Sequence, residues 1–201
     1  SPSEKIGNKK QKVGITPPPA LMPEGVASPH RQVVGIILRE TRNWEKDVQV
    51  FSELSSLIVK NLKGEVVFIP FQLPQDIKLL NAIKSNTDVP VDIFVWSNTV
   101  ELLELFSNLD VVVSMRLHGL ILALKYGVPF VAIERYSKIR NFLHLMGEDI
   151  RNDEINTEKI YFQILDKMNK KPPEKILTVM EDLQNKSNKT AQLCVFALGS
   201  L

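Results

Sequence analysis

Cysteine is almost absent from this chain: of its 201 residues only Cys194 is one. A single thiol forms no internal disulfide, so the chain is not a disulfide-stapled scaffold, and the usage fits a reducing cytosol. There is no Cys-x-x-Cys pair and no His-Glu-x-x-His pattern, which removes the common structural and catalytic zinc arrangements. Neither G-x-G-x-x-G nor G-x-x-x-x-G-K is present, so an ordinary dinucleotide site or P-loop is not expected. Charge of one sign is lacking too. Lysine and arginine number 25 against 23 acids, for a net charge of +2. That balance argues against a protein built to grip nucleic acid, and the small cluster Lys9, Lys10 and Lys12 reads as a solvated tail. No apolar run approaches the ~20 residues that span a bilayer. The opening stretch SPSEKIGNKK has no apolar core of the signal-peptide kind. Because the chain opens on Ser rather than Met, that lack excludes nothing.

What is present falls into two parts. Residues 1–31 carry Pro2, Pro17, Pro18, Pro19, Pro23 and Pro29 without sustained periodicity, which reads as an extended arm or linker. From residue 32 onward, short apolar runs alternate with helical spacing. Strands are expected at 33–38, 65–71, 91–96, 110–115 and 129–134. Helices are expected at 47–62 with Gly64 ending it, at 74–86 with Pro74 in the first turn, at 100–107 capped by Thr99, and at the RLHGLILALKYG stretch. Further helices are expected near 138–146, 156–169 and 173–187, and the apolar KTAQLCVFALGSL tail either extends the last one or packs elsewhere. Strands apolar on both faces and alternating with helices indicate a Rossmann-like, doubly wound α/β domain of five or six parallel strands over residues 32–201.

In the common doubly wound order the first strand lies beside the fourth, and ligands bind beyond the carboxyl ends at that switch of direction. The first strand leads into Arg39 and the fourth into Arg116, Leu117 and His118. A helix beginning near Arg116 offers free N–H groups and a positive dipole end, an anion seat where a cationic side chain is otherwise unfavourable. Arginine suits carboxylate and phosphate because its planar fork donates to two oxygens at once. Histidine can exchange a proton near neutral pH. An arginine at a strand end also commonly forms a structural ion pair, and a histidine at a helix start is commonly a satisfied core group. The pattern alone does not decide between these.

The stretch SMRLHGLILALKYGVPFVAIERYSKIRNFLHLMG resembles the signature region of the polysaccharide pyruvyl transferase family, and VVGIILRETRNW is similar to that family's strand ending in Arg near an aromatic residue. The resemblance covers about 33–148. It implies one half of a glycosyltransferase-B type fold, the donor-binding half of a two-domain enzyme whose N-terminal half is a separate partner domain. It also implies transfer of a pyruvyl group from phosphoenolpyruvate to two hydroxyls of one sugar in a cell-surface polysaccharide precursor, giving a cyclic ketal. By the same resemblance, Arg39 and Arg116 hold the donor's phosphate and carboxylate with Leu117 beside them, His118 is the acid and base, and Lys138 is a further cation. The turn ERYSK departs from the family pattern by placing Arg135 and Ser137 ahead of Lys138. No metal or cofactor is called for, because arginines can stabilise a leaving phosphate. A lipid-linked saccharide acceptor would bring the enzyme to the inner face of the cell membrane from the cytoplasm. Two rival readings stand beside this one: a nucleotide-sugar enzyme of the same fold, with Glu134 holding ribose, and a non-catalytic domain.

Overall fold

The computed structural model describes residues 31–147 and 155–169, all within the unit Arg31–Leu201. The arm expected over 1–31, all but its last residue, the helix expected at 173–187 and the apolar tail lie outside the described residues.

Five short strands rich in β-branched residues form the centre: β1 (Val33–Ile37), β2 (Glu65–Phe68), β3 (Asp92–Ile93), β4 (Val111–Ser114) and β5 (Phe130–Ala132). All pairings are parallel, in the order β3-β2-β1-β4-β5. This is the doubly wound arrangement, and it puts β1 against β4 as the alternation of elements predicts. The strands are shorter than the apolar runs that announce them. The edge strand is the extreme case: only Asp92–Ile93 pair as strand, with Phe94 N adding one more bond to Phe68 O at 2.8 Å. Beyond that the segment turns so that Trp96 Nε1 donates to Pro70 O at 2.8 Å.

Helices cover both faces because side chains alternate along each strand. Val34, Ile36, Leu38, Val111, Val113, Met115, Val131 and Ile133 join one cluster with α1 (Trp44–Asn61), α2 (Gln75–Asn86) and α6 (Thr157–Asn169). Ile37, Val112, Phe130 and Ala132 join a second with α3 (Thr99–Phe106), α4 (Leu117–Lys125) and α5 (Ser137–Met146). The sheet is thus buried on both sides, as near-continuous apolar strands require.

Several helix ends differ from expectation, among them the start of α1, which falls at Trp44 and not at 47. The cap of α3 is Asn98, not Thr99: its side chain accepts from Glu101 N, and the Glu101 carboxylate accepts in return from Ser97 N at 2.9 Å. The start of α2 falls one residue later, with Pro74 as the cap residue. Gly64 does not supply a left-handed terminus to α1. Lys63 takes that conformation, with φ of 55°, while Gly64 is needed because a Cβ there would stand 2.8 Å from Gln32 O.

Candidate functional site

The register of the sheet aligns a row of residues at its carboxyl edge. Ile37 of β1 pairs with Ser114 of β4, and Ser114 with Ala132 of β5. Arg39, Arg116 and Glu134 each stand two residues beyond that line. On the other side, Ile36 pairs with Phe68 and Phe68 with Ile93, so Phe71 and Trp96 each stand three residues beyond it, level with Arg39. Their rings meet edge to face with centroids 6.4 Å apart. Residues scattered over half the chain therefore share one rim, where a doubly wound sheet binds its ligands.

The turn from β4 into α4 is built by Ser114 and Gly119. The fully buried Ser114 hydroxyl donates to Arg116 O at 2.8 Å and accepts from Arg116 N at 3.0 Å, closing a tight turn. Gly119 then lets the helix settle on the sheet. A Cβ at that position would lie 2.5 Å from Ile37 Cδ1 and 2.6 Å from Ser114 Oγ, distances no real side chain tolerates. Arg116 is the cap residue in extended conformation, its carbonyl accepting from Gly119 N and Leu120 N. No side chain caps this helix start.

The side chain of Arg116 is 17 % exposed and turns toward α2. Its Nη2 pairs with Oδ1 of Asp76, whose side chain is 1 % exposed. Nε donates to Leu38 O at 3.3 Å, and Nη1 reaches Gln72 Oε1 at 3.5 Å. Asp76 is held in its turn, its Oδ2 accepting from Phe71 N at 3.0 Å and Gln72 N at 2.8 Å. Arg39 behaves differently. Its guanidinium stacks over Tyr136 with Cζ 4.3 Å from the ring centroid, and among the described residues no acid pairs with it. The two arginines thus leave neighbouring strands at one level, but their guanidinium groups are anchored toward α2 and toward the start of α5.

Of the other residues singled out from the sequence, His118 is exposed in the first turn of α4, and Lys138 is exposed in the first turn of α5. Leu117 is half-buried against the second core cluster. Glu134 has a side chain only 5 % exposed, and its Oε1 takes a bond from Arg140 Nε. Arg135, whose place ahead of Lys138 was the departure from the family pattern, reaches across to α1, where Nη2 donates to Oδ1 of the buried Asp47 at 2.8 Å. No group of three or more His, Cys, Asp or Glu able to hold a metal ion exists among the described residues, and no described helix is long and apolar enough to cross a membrane.

Sequence reasoning missed the two acids. Both carried a signal. Asp76 precedes Leu79, Leu80 and Ile83, and Asp47 precedes Val50, Phe51, Leu54 and Ile58, all buried. In each helix the acid lies on the apolar stripe. A carboxylate on a buried stripe needs a charged or polar partner, and the arginines after β4 and β5 are those partners.

The family model for polysaccharide pyruvyl transferase matches residues 3–137. The chain belongs to that family. No curated protein matches the sequence. Among solved structures, this pyruvyl transferase family member is similar in fold to UDP-GlcNAc 2-epimerase from Methanocaldococcus jannaschii, in complex with UDP-GlcNAc and UDP, with TM-score 0.56 and 15 % identity over 78 % of this chain and 46 % of that one. The Neisseria meningitidis UDP-GlcNAc 2-epimerase bound to UDP-GlcNAc gives TM-score 0.53 and 12 % identity, covering 77 % and 45 %. A mutant of S. aureus TarM, in complex with Fondaparinux, alpha-GlcNAc-glycerol and UDP, gives TM-score 0.51 and 19 % identity, covering 82 % and 35 %. Identities this low establish the fold alone: a Rossmann-like domain resembling one half of a glycosyltransferase-B fold. The chain spans less than half the length of each of these structures.

Proposed function

We propose that the chain is the donor-binding half of an enzyme that moves a pyruvyl group from phosphoenolpyruvate to two hydroxyls of one sugar as a cyclic ketal. The observation that carries the reading is the placing of Arg39 and Arg116 at one level beyond the paired strands β1 and β4, with His118 exposed at the uncapped start of α4. Phosphoenolpyruvate carries two anionic groups on a small frame, and two arginines on one rim with a helix N-terminus match it in charge.

In this reading His118 protonates the methylene carbon of the donor, turning it into a methyl group and making C2 electrophilic. A sugar hydroxyl adds to C2 and gives up its proton. Phosphate then leaves, its charge met by Arg39, Arg116 and Lys138, and the second hydroxyl closes the ketal. Atoms balance without an oxidant or reductant: donor and diol give ketal and inorganic phosphate. The N–H of Leu117, at the first helical position, is one of the free donors of α4. The saccharide acceptor belongs to the opposite, N-terminal half of the cleft, and a lipid carrier on it would bring the enzyme to a membrane surface.

A nucleotide-sugar reading would use Glu134 for ribose. Its carboxylate already bonds to Arg140, which counts against that role. In the enzyme with both halves present, phosphate release from phosphoenolpyruvate should depend on a saccharide acceptor, and a nucleoside diphosphate should not compete. His118→Gln should lower kcat by about 10²–10⁴-fold, the range of general acid–base groups, and donor affinity should change far less. Turnover of that variant near the wild-type rate would make the histidine structural. Displacement of phosphoenolpyruvate by UDP would favour the nucleotide-sugar reading, and no turnover with any acceptor would favour the non-catalytic one.

A further inference from the structure

We infer that Asp76 is a positioning residue for Arg116, and that of the two arginines their pairing leaves Arg39 as the one whose positive charge is uncompensated. The inference rests on the donor site proposed above and adds to it a residue from α2, an element the site did not include.

Two bonds fix the guanidinium plane of Arg116. From one side the carbonyl of Leu38, on the neighbouring strand's exit, takes the Nε–H. From the other, the Asp76 carboxylate takes an Nη2–H. A planar fork gripped at two separate nitrogens keeps little rotational freedom. Asp76 can act as a fixed post because its second oxygen is bound by two consecutive backbone N–H groups, those of Phe71 and Gln72, and because burial keeps water from competing. The side-chain entropy of Arg116 is therefore lost on folding and not on ligand arrival, which is how preorganised donors gain over mobile ones. Of the five guanidinium N–H groups, those not engaged with Leu38, Gln72 and Asp76 remain for a ligand.

The electrostatic consequence separates the two arginines. A carboxylate in contact with Arg116 offsets most of its charge at any distance beyond the pair. Arg39 is faced by the π cloud of Tyr136 and, among the described residues, forms an ion pair with no acid. Arg116 then contributes aimed hydrogen bonds, while Arg39 contributes net charge.

The test is calorimetric titration of the intact enzyme with phosphoenolpyruvate and with inorganic phosphate, for wild type, Arg116→Ala, Asp76→Asn and Asp76→Glu, with thermal unfolding of each. Asp76→Asn keeps the volume and an oxygen for the two backbone N–H groups but loses the charge that holds Arg116. Phosphoenolpyruvate should bind it about ten- to hundredfold more weakly, the scale of a charged hydrogen bond, with KM rising more than kcat falls. Asp76→Glu keeps the charge one methylene away and should fall between wild type and Asp76→Asn. Wild-type affinity in a folded Asp76→Asn would show that the acid serves stability alone, and tighter binding would show that it competes with the ligand. Either overturns the inference. If Asp76→Asn does not fold, wild-type affinity in Asp76→Glu overturns it by itself. Failure of wild type to bind phosphoenolpyruvate sinks the donor reading, whereas a difference between wild type and Arg116→Ala that Asp76→Asn does not share sinks only the role of Asp76.

Discussion

Arg135, in the segment after β5, donates from Nη2 to the buried carboxylate of Asp47 at 2.8 Å and so ties that segment to the first turn of α1. Asp47 also accepts from the Thr41 hydroxyl. Removing one partner of a buried pair leaves a charge stranded. Arg135→Ala is therefore expected to cost about 3–5 kcal/mol of stability. The double replacement Asp47→Leu with Arg135→Met, which removes both charges, should recover most of it. Urea unfolding of the three proteins checks this, and equal loss in the single and double variants would contradict it.

Gly119→Ala puts a methyl group against Ile37 and Ser114 at once. Either α4 shifts outward or the Ser114 turn opens, and overpacking of this kind costs about 1–3 kcal/mol. Since that turn carries Arg116 and His118, anion binding should suffer along with stability. A crystal structure or thermal melt showing no displacement and no loss would argue that the helix seat is looser than the contact distances imply.

Tyr136 presents its ring face to Arg39. An exposed cation–π contact is worth about 0.5–1 kcal/mol. Tyr136→Ala should weaken phosphate binding by about two- to fivefold, as Arg39 loses its rest, and Tyr136→Phe should stay near wild type because the ring remains. A large loss in Tyr136→Phe would shift the role to the hydroxyl.

Asn98→Ala removes the oxygen that accepts Glu101 N at the start of α3. The expected cost is about 0.5–2 kcal/mol, visible as a lower denaturation midpoint. Activity per folded molecule should not change, because the side-chain bonds of Asn98 go to Ser97 and Glu101 within its own turn and reach neither arginine.

The strand order, the two-sided burial and the rim on which Arg39, Arg116 and Glu134 align were legible in the sequence because apolar runs and their alternation with helices carry that information locally. The partners of those residues were not. The contact between Arg116 and Asp76 joins positions 40 apart, and that between Arg135 and Asp47 joins positions 88 apart. Periodicity says which face a residue occupies, not what meets it there. Gly119 was hidden for the same reason: only the approach of Ile37 from another strand makes a Cβ impossible. The cap of α3 was misplaced by one residue because Asn98 and Thr99 are both good caps, and the Glu101 amide selects between them. Strand lengths were overestimated because an apolar run continues past the last paired residue into the rim.

The bond from Met115 N to Ile37 O, 2.8 Å long, is the rung that joins β4 to β1 just beneath the two arginines. It unites segments far apart in the chain, so the rim that carries Arg39 and Arg116 has no local existence: it is assembled when the central strands zip together and dissolves when they part. The Met115 amide is therefore a reporter. Its proton can exchange with solvent deuterium only when that rung opens. Protection of Met115 close to the global unfolding free energy means that this rim stands ready before any ligand comes. Faster exchange, slowed on adding phosphate, means that the ligand itself closes the seam.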